Sequence, residues 1–317
     1  MVRLLLLMGI GLQFLFGIQL SQRGYFKRSI EVATTNGQIV VIGRNGKVEI
    51  RDFRNLSRVI KVIPLPKIHG FARNILIPMP FYDIDVTPSG KILILGKGDV
   101  SNRRLLMIEK GKIKFFLKSN LFFIQAQFIT PTKIVAMTNT GELVGVDIQT
   151  RKVLWDWKTG LKPPTRMALN YDRSKVAIVG ADGATYIFNS LTGKVVDSFR
   201  SLNRRESLSL SYYSRLIMNG SFDGKVVVFD IPTRHFVYIK RLARKIYYQN
   251  NPPLPTATAI LGDRTIAYTY QHRNIYLYDL KTKKGLVLKG DQYPITKLQF
   301  IGIYLISYTP HSISIWR

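Results

Sequence analysis

The sequence predicts an all-β protein, a seven-bladed β-propeller whose last blade is closed by an N-terminal strand. Three observations lead there. From Arg28 onward, short alternating apolar runs are separated by Gly, Asn, Asp, Ser or Pro turns, and helical periodicity is hard to find. A longer period lies above that texture. Each unit runs strand, polar turn, strand, tight turn, strand ending in a polar residue, then a short basic turn and a fourth strand. The final unit stops at Trp316-Arg317 without a fourth strand, so closure calls for one from the stretch around Ser21 to Ala33.

In chain order, residues 1–22 stand apart as a secretory signal or N-terminal membrane anchor, and residues 23–317 form the propeller domain. Arg3 precedes an apolar run from Leu4 to Leu20, in which Gln13 and Gln19 are the polar members. No pair of small residues forms an A-x-A cleavage site between Gly17 and Gly24, so the segment can stay attached. Its 17 residues reach the lower limit for crossing a bilayer core of about 30 Å. Arg23, Lys27 and Arg28 on the following flank argue for the cytoplasm, but large domains translocate largely regardless of charge. The expectation is a periplasmic protein, held at the inner membrane if the segment is uncleaved.

The repeat is read from its turns. The first unit, Ile39 to Phe53, carries an Asn45-Gly46 hairpin and ends at Asp52. Later units end their third strands at Glu109, Asp147, Asn189, Asp230 and Asp279, and the last stops at Arg317. The intervals are 57, 38, 42, 41, 49 and 38 residues. Four-stranded propeller blades repeat every ~40–45 residues, so two intervals contain insertions. One four-stranded sheet cannot bury both faces, which is why such blades stack and cover one another.

The endings Val-Val-Phe-Asp (227–230), Tyr-Leu-Tyr-Asp (276–279) and Ser-Ile-Trp-Arg (314–317) resemble degenerate Trp-Asp blade ends. Val146 to Gly160, VDIQTRKVLWDWKTG, resembles the strand–turn–strand repeat of quinoprotein-type propellers. The chain is thus similar to divergent bacterial WD40-like and PQQ-like propellers over nearly all of residues 29–317. The Gly-His pair of standard WD40 repeats is missing from every blade, and with it the associated hydrogen-bond network. Within this class the chain resembles the NapL-type accessory propellers encoded with periplasmic nitrate reductase. That resemblance implies a non-enzymatic scaffold assisting a periplasmic respiratory system.

Candidate chemistry is sparse. The absence of cysteine excludes disulfides, thiolate metal sites and cysteine nucleophiles. His69, His235, His272 and His311 show no ligand spacing, although His272 and His311 both fall in inner hairpin turns. Gly-x-Ser-x-Gly, Walker-type and dinucleotide motifs are absent, and Asn219 to Gly224 reads as a hairpin. Quinoprotein enzymes are about twice this length and need a calcium-binding acid set, so Trp155 and Trp157 are assigned to packing between blades. The expectation is no enzyme activity, no cofactor and no metal.

A partner is expected instead. Formal net charge is +28, which favours an acidic protein partner or complex, with an anionic membrane surface as a further candidate. Loops between blades share one face with the middle hairpins, and the longest insertions map there. The candidate docking residues are Lys67, Arg73, Arg103, Arg104, Lys158, Lys162, Arg166, Arg204, Arg205, Arg241, Arg244, Lys245, Tyr247 and Tyr248. The opposite face is basic too, through Arg54, Arg58, Arg151, Lys152, Arg234, Lys281, Lys283 and Lys284, so a uniform basic surface is the competing reading. The chain is expected to be monomeric. The alternatives are an outer-membrane assembly propeller of the BamB type, whose lipobox cysteine is missing here, and a basic RNA-binding propeller. Export argues against nucleic acid as the partner.

Overall fold

A computed structural model describes residues 18–26, 30–35, 38–43, 46–70, 75–98, 103–119, 121–158, 160, 164–203, 205–242, 254–270 and 273–317. All secondary structure among them is β, and no helix there is long and apolar enough to cross a membrane. The first strand among the described residues is β1 (Leu20–Tyr25). Blade 1 is β2 (Ile30–Thr35), β3 (Gln38–Gly43), β4 (Lys47–Asp52) and β5 (Asn55–Pro64). A short ribbon follows, β6 (Lys67–His69) with β7 (Leu76–Pro78). Blade 2 is β8 (Phe81–Val86), β9 (Ile92–Lys97), β10 (Arg103–Glu109) and β11 (Lys112–Ser119). Blade 3 is β12 (Phe123–Thr130), β13 (Lys133–Thr138), β14 (Glu142–Asp147) and β15 (Val153–Lys158). Blade 4 is β16 (Pro164–Leu169), β17 (Lys175–Gly180), β18 (Ala184–Asn189) and β19 (Val195–Arg200).

Blade 5 is β20 (Ser207–Tyr213), β21 (Leu216–Ser221), β22 (Lys225–Asp230) and β23 (His235–Arg241). Blade 6 is β24 (Thr258–Leu261), β25 (Thr265–Tyr270), β26 (Asn274–Asp279) and β27 (Gly285–Leu288). Three strands remain, β28 (Lys297–Ile301), β29 (Tyr304–Tyr308) and β30 (Ser312–Trp316). They form a composite sheet in the order β1-β30-β29-β28. The expected count of seven blades is therefore corrected. Six blades are woven from four consecutive strands each, and the last four-stranded sheet borrows its edge strand from β1. The chain also divides into two compact units, Phe26–Glu206 with blades 1 to 4, and Met1–Tyr25 with Ser207–Arg317.

Burial within a blade follows its strand order. Second strands such as β9, β13, β17 and β21 are enclosed almost throughout, whereas the fourth strands β15, β19 and β23 alternate with solvent. Their sequences account for this: Ile-Leu-Ile-Leu-Gly and Val-Ala-Ile-Val-Gly are continuously apolar because both faces meet neighbours. In β9, Ile92 and Ile94 pack with blade 1, and Leu93 and Leu95 pack with blade 3. Blades 3 and 4 share a core that includes Trp155 and Trp157, the placement expected for both. Trp157 lies 4.6 Å from the Phe188 ring and 5.3 Å from Tyr186. The Trp155 indole packs against Gly145 and Gly193, where a Cβ on either glycine would enter it. In the other unit, blades 5 and 6 share one cluster, and blade 6 shares another with the composite sheet.

Polar contacts stitch the first strands of successive blades. Asp83 and Asp85 accept bonds from the Ala126 and Phe128 amides at 3.0 and 2.8 Å, and Gln125 accepts from the Met167 amide at 2.7 Å. Arg173 reaches farthest. It clamps Asp85 at 2.5 and 3.1 Å and donates to the Phe128 carbonyl, tying blades 2, 3 and 4. In the second unit Ser209 and Ser211 donate to the Pro255 and Thr258 carbonyls, and Thr256 to the Ile295 carbonyl.

The Asp and Asn residues that end the third strands do what the turn chemistry predicts. Asp147 accepts from the Gln149 and Thr150 amides, Asn189 from Leu191 and Thr192, and Asp279 from Lys281 and Thr282. Each turn then passes through the left-handed region at its fifth residue, Arg151 (φ 59°), Gly193 (φ 68°), Arg234 (φ 57°) and Lys283 (φ 58°). A Cβ there costs about 1 kcal/mol. Arg151→Gly, Arg234→Gly and Lys283→Gly are each expected to raise stability by up to that amount, measured by denaturant melts, and Gly193→Arg to lower it.

These carboxylates also set the acid limit. Hydrogen bonds from Arg215 hold Asp230 below its ordinary 3.8, and the Thr150 amide does the same for Asp147. Bonds from Lys91 first and Lys114 second hold Glu109 at about 2. A carboxylate depressed on folding stabilises above its unfolded value and loses that contribution as pH falls through the folded one. Melting temperature at constant ionic strength is expected to hold above about pH 5 and to drop progressively between about 4.5 and 2.

Candidate partner-binding face

Strand register gives every sheet two distinct ends. One, the connection end, carries the links between blades and the hairpin between second and third strands. In blade 2 it holds Phe81, Lys97, Arg103 and Ser119, and in blade 3 Phe123, Thr138, Glu142 and Lys158. In blade 5 it holds Ser207, Ser221, Lys225 and Arg241. The other, the turn end, carries the acid-capped turns and the hairpins between first and second strands. The sequence reading of which loops share a face thus holds within each sheet.

In the unit Phe26–Glu206, Lys67, Lys158, Arg166 and Arg205 are exposed. Lys67 begins the β6–β7 ribbon. Lys158 projects into solvent, 3.7 Å from Glu142. Desolvation pulls the Arg166 guanidinium below its ordinary 12.5, opposed by Glu206 and Asp83. Arg104 differs from the expectation, being only 8% exposed, and is corrected to an enclosed residue of β10. Adjacent residues of a strand point to opposite faces, so Arg103 and Arg104 part company. In the second unit Arg241 is exposed at the connection end of β23. Arg73, Lys162, Arg204, Arg244, Lys245, Tyr247 and Tyr248 lie outside the described residues, as does His272.

Arg103 is the residue around which side chains gather. Its guanidinium carbon lies 3.0 Å from the Tyr82 ring centroid and 4.2 Å from that of Phe122. Guanidinium stacking on ring faces is attractive through the ring quadrupole, at about 0.5–2 kcal/mol per contact. Burial pulls the guanidinium below its ordinary 12.5, opposed by Tyr82. Tyr82, Leu121 and Phe122 remain 38%, 37% and 41% exposed, so an aromatic and aliphatic patch faces solvent around a cation whose own Nη1 is enclosed. Tyr82 and Phe122 were not singled out from the sequence. The available signal was weak: Phe122-Phe123 follows a turn, and alternation sets Tyr82 on the same side of its strand as the buried Ile84 and Val86, where it reads as core.

The described residues contain no group of three or more His, Asp or Glu side chains placed to hold a metal ion. The His311 ring lies 4.6 Å from that of Tyr293, tilted by 49°. A protein-family profile described as "ER membrane protein complex subunit 1, second beta-propeller" matches residues 130–251, which span β13 to β23. The fold is of the β-propeller type. Comparison with curated proteins finds no match.

Proposed function

We propose that this β-propeller chain is a non-enzymatic interaction scaffold. It receives an acidic protein partner at the connection end of blade 2. The observation that carries the reading is Arg103 held between Tyr82 and Phe122 within an exposed apolar patch, because Arg and Tyr dominate binding hot spots. The finer reading places the scaffold in the periplasm beside a respiratory system of the nitrate reductase type. Its support is the apolar run Leu4 to Leu20 and a cysteine-free, divergent repeat. A second reading is a scaffold within a membrane-protein complex, favoured by the printed name of the family that matches residues 130–251. Fold likeness alone does not assign function, so both readings depend on the site.

Affinity capture with the wild-type chain, Arg103→Glu and Tyr82→Ala/Phe122→Ala tests the scaffold reading. Partners recovered by the wild type are expected to be depleted at least about 10-fold by either variant, as hot-spot truncation costs about 2 kcal/mol. Unchanged recovery from folded variants overturns it. Reversal of Arg241, Arg244 and Lys245 tests the remaining basic loops in the same assay. Fractionation separates the compartments: periplasmic recovery with nitrate reductase subunits supports the finer reading, and cytosolic protein with salt-sensitive RNA affinity supports the RNA-binding alternative.

A further inference from the structure

The turn end of the second unit joins three features. β1 runs antiparallel to β30, with Leu20 opposite Trp316 and Tyr25 opposite Ser312. Gln19 and Arg317 exchange both backbone hydrogen bonds at 2.8 and 3.0 Å, so β1 enters its sheet at the turn end. Leu20 is both the last residue of the apolar run and the first residue of the strand, and no spacer separates them. Ile18, the first described residue, lies at this end.

The same end is cationic. The turn of blade 5 exposes Arg234, the turn of blade 6 exposes Lys281, Lys283 and Lys284, and Arg317 follows β30. The acids there are largely spent on structure. Asp230 and Asp279 are buried against Arg215 and Arg264, which leaves Asp263 as the exposed acid of those hairpins and turns. Leu20 and Ile303 add exposed apolar side chains, 42% and 43% accessible. The blades of the first unit repeat the pattern at their own turn ends, with exposed Arg54, Lys110, Arg151, Lys152 and Lys194.

We infer that the turn end of the Ser207–Arg317 unit is a docking surface for an anionic lipid bilayer, the same bilayer that takes up the apolar run. A chain that passes from an apolar run into a strand without a linker brings that sheet end against the headgroups. Lys and Arg within a Debye length of an anionic leaflet are each attracted to it. This surface is distinct from the connection end assigned to protein, so either assignment can fail without the other.

The test compares full-length chains mixed with vesicles of phosphatidylcholine alone or with phosphatidylglycerol added. The apolar run binds both kinds, and the ratio of the two affinities isolates the charge contribution. Arg234→Glu/Lys281→Glu/Lys283→Glu/Lys284→Glu is expected to reduce that ratio by about 1,000-fold, at about 1 kcal/mol for each cation lost. Reversal of Lys240, Arg273, Lys289 and Lys297, four exposed cations near the connection end of the same unit, is expected to leave most of it. Equal losses from the two sets, or none from the first, overturn the inference. The absence of native cysteine supplies a second measurement. An environment-sensitive dye at Thr282→Cys is expected to shift to the blue on anionic vesicles, while the same dye at Lys289→Cys stays unshifted; the reverse pattern also overturns it.

Discussion

Replacing Arg173 with methionine is expected to lower stability by about 3 kcal/mol, read as a shifted denaturant midpoint with unchanged slope. The guanidinium is held by both Asp85 oxygens and the Phe128 carbonyl, and the Asp85 side chain is only 13% exposed. Removing the cation leaves a carboxylate between blades with the Phe128 amide as its remaining described donor. Losing one partner of an enclosed ion pair costs about 3–5 kcal/mol, and the 31% exposure of Arg173 places this pair at the low end. The double variant Arg173→Met/Asp85→Leu is expected to recover part of the loss, because the uncompensated charge goes with it. If Arg173→Met melts like the wild type, the pair contributes no more than a surface salt bridge.

Removal of β1 is expected to be costlier. A chain beginning at Phe26 lacks the strand opposite β30 and the Arg23 bonds to Ser314 Oγ and the Gly290 carbonyl. It also bares the edge beside Ile313, Ile315 and Trp316, all buried in the intact sheet. The lost ladder bonds and the bared apolar edge together amount to about 5 kcal/mol, with aggregation through the new edge. A chain lacking only residues 1–17 retains β1 and is the reference. Equal stability of the two truncated chains would show that β1 contributes nothing to the sheet.

The repeat was legible because its signals are local. A continuous apolar second strand, a hairpin glycine such as Gly183 (φ 80°) or Gly224 (φ 69°), and an acid before a basic turn each follow from the needs of a few adjacent residues. The unpaired last strand was legible as a shortage, and Leu20–Tyr25 lies at the start of the stretch named to fill it. The seven-blade count included that three-strand remainder, completed by an N-terminal strand, as a seventh blade, whereas six blades are woven from four consecutive strands each and the remainder is a composite sheet. The division into two units left no composition signal at Glu206.

Site residues were harder to read for a physical reason. A basic residue next to a strand looks the same whether it ends in solvent or between rings. Arg103 and Arg104 are adjacent and alike in sequence, yet one is clasped by Tyr82 and Phe122 and the other is enclosed. Arg173 sits in a turn beside Asp172 and reads as surface, but its reach across three blades depends on Asp85, 88 positions earlier. Partners brought together by stacking are set by tertiary register, which no local pattern carries.

Disulfide trapping of β1 on β30 tests most directly the claim that the end of the apolar run is also the closing strand of the last sheet. Arg23 and Ser314 are cross-strand partners. Facing residues of antiparallel strands lie within about 5.5 Å, a separation a disulfide can bridge. In the cysteine-free chain, Arg23→Cys/Ser314→Cys is expected to oxidise completely under mild conditions and yield one cross-linked peptide on digestion, while Arg23→Cys/Ser307→Cys stays reduced. Free thiols at 23 and 314 in the folded, oxidised sample, or equal cross-linking of both pairs, would contradict the account.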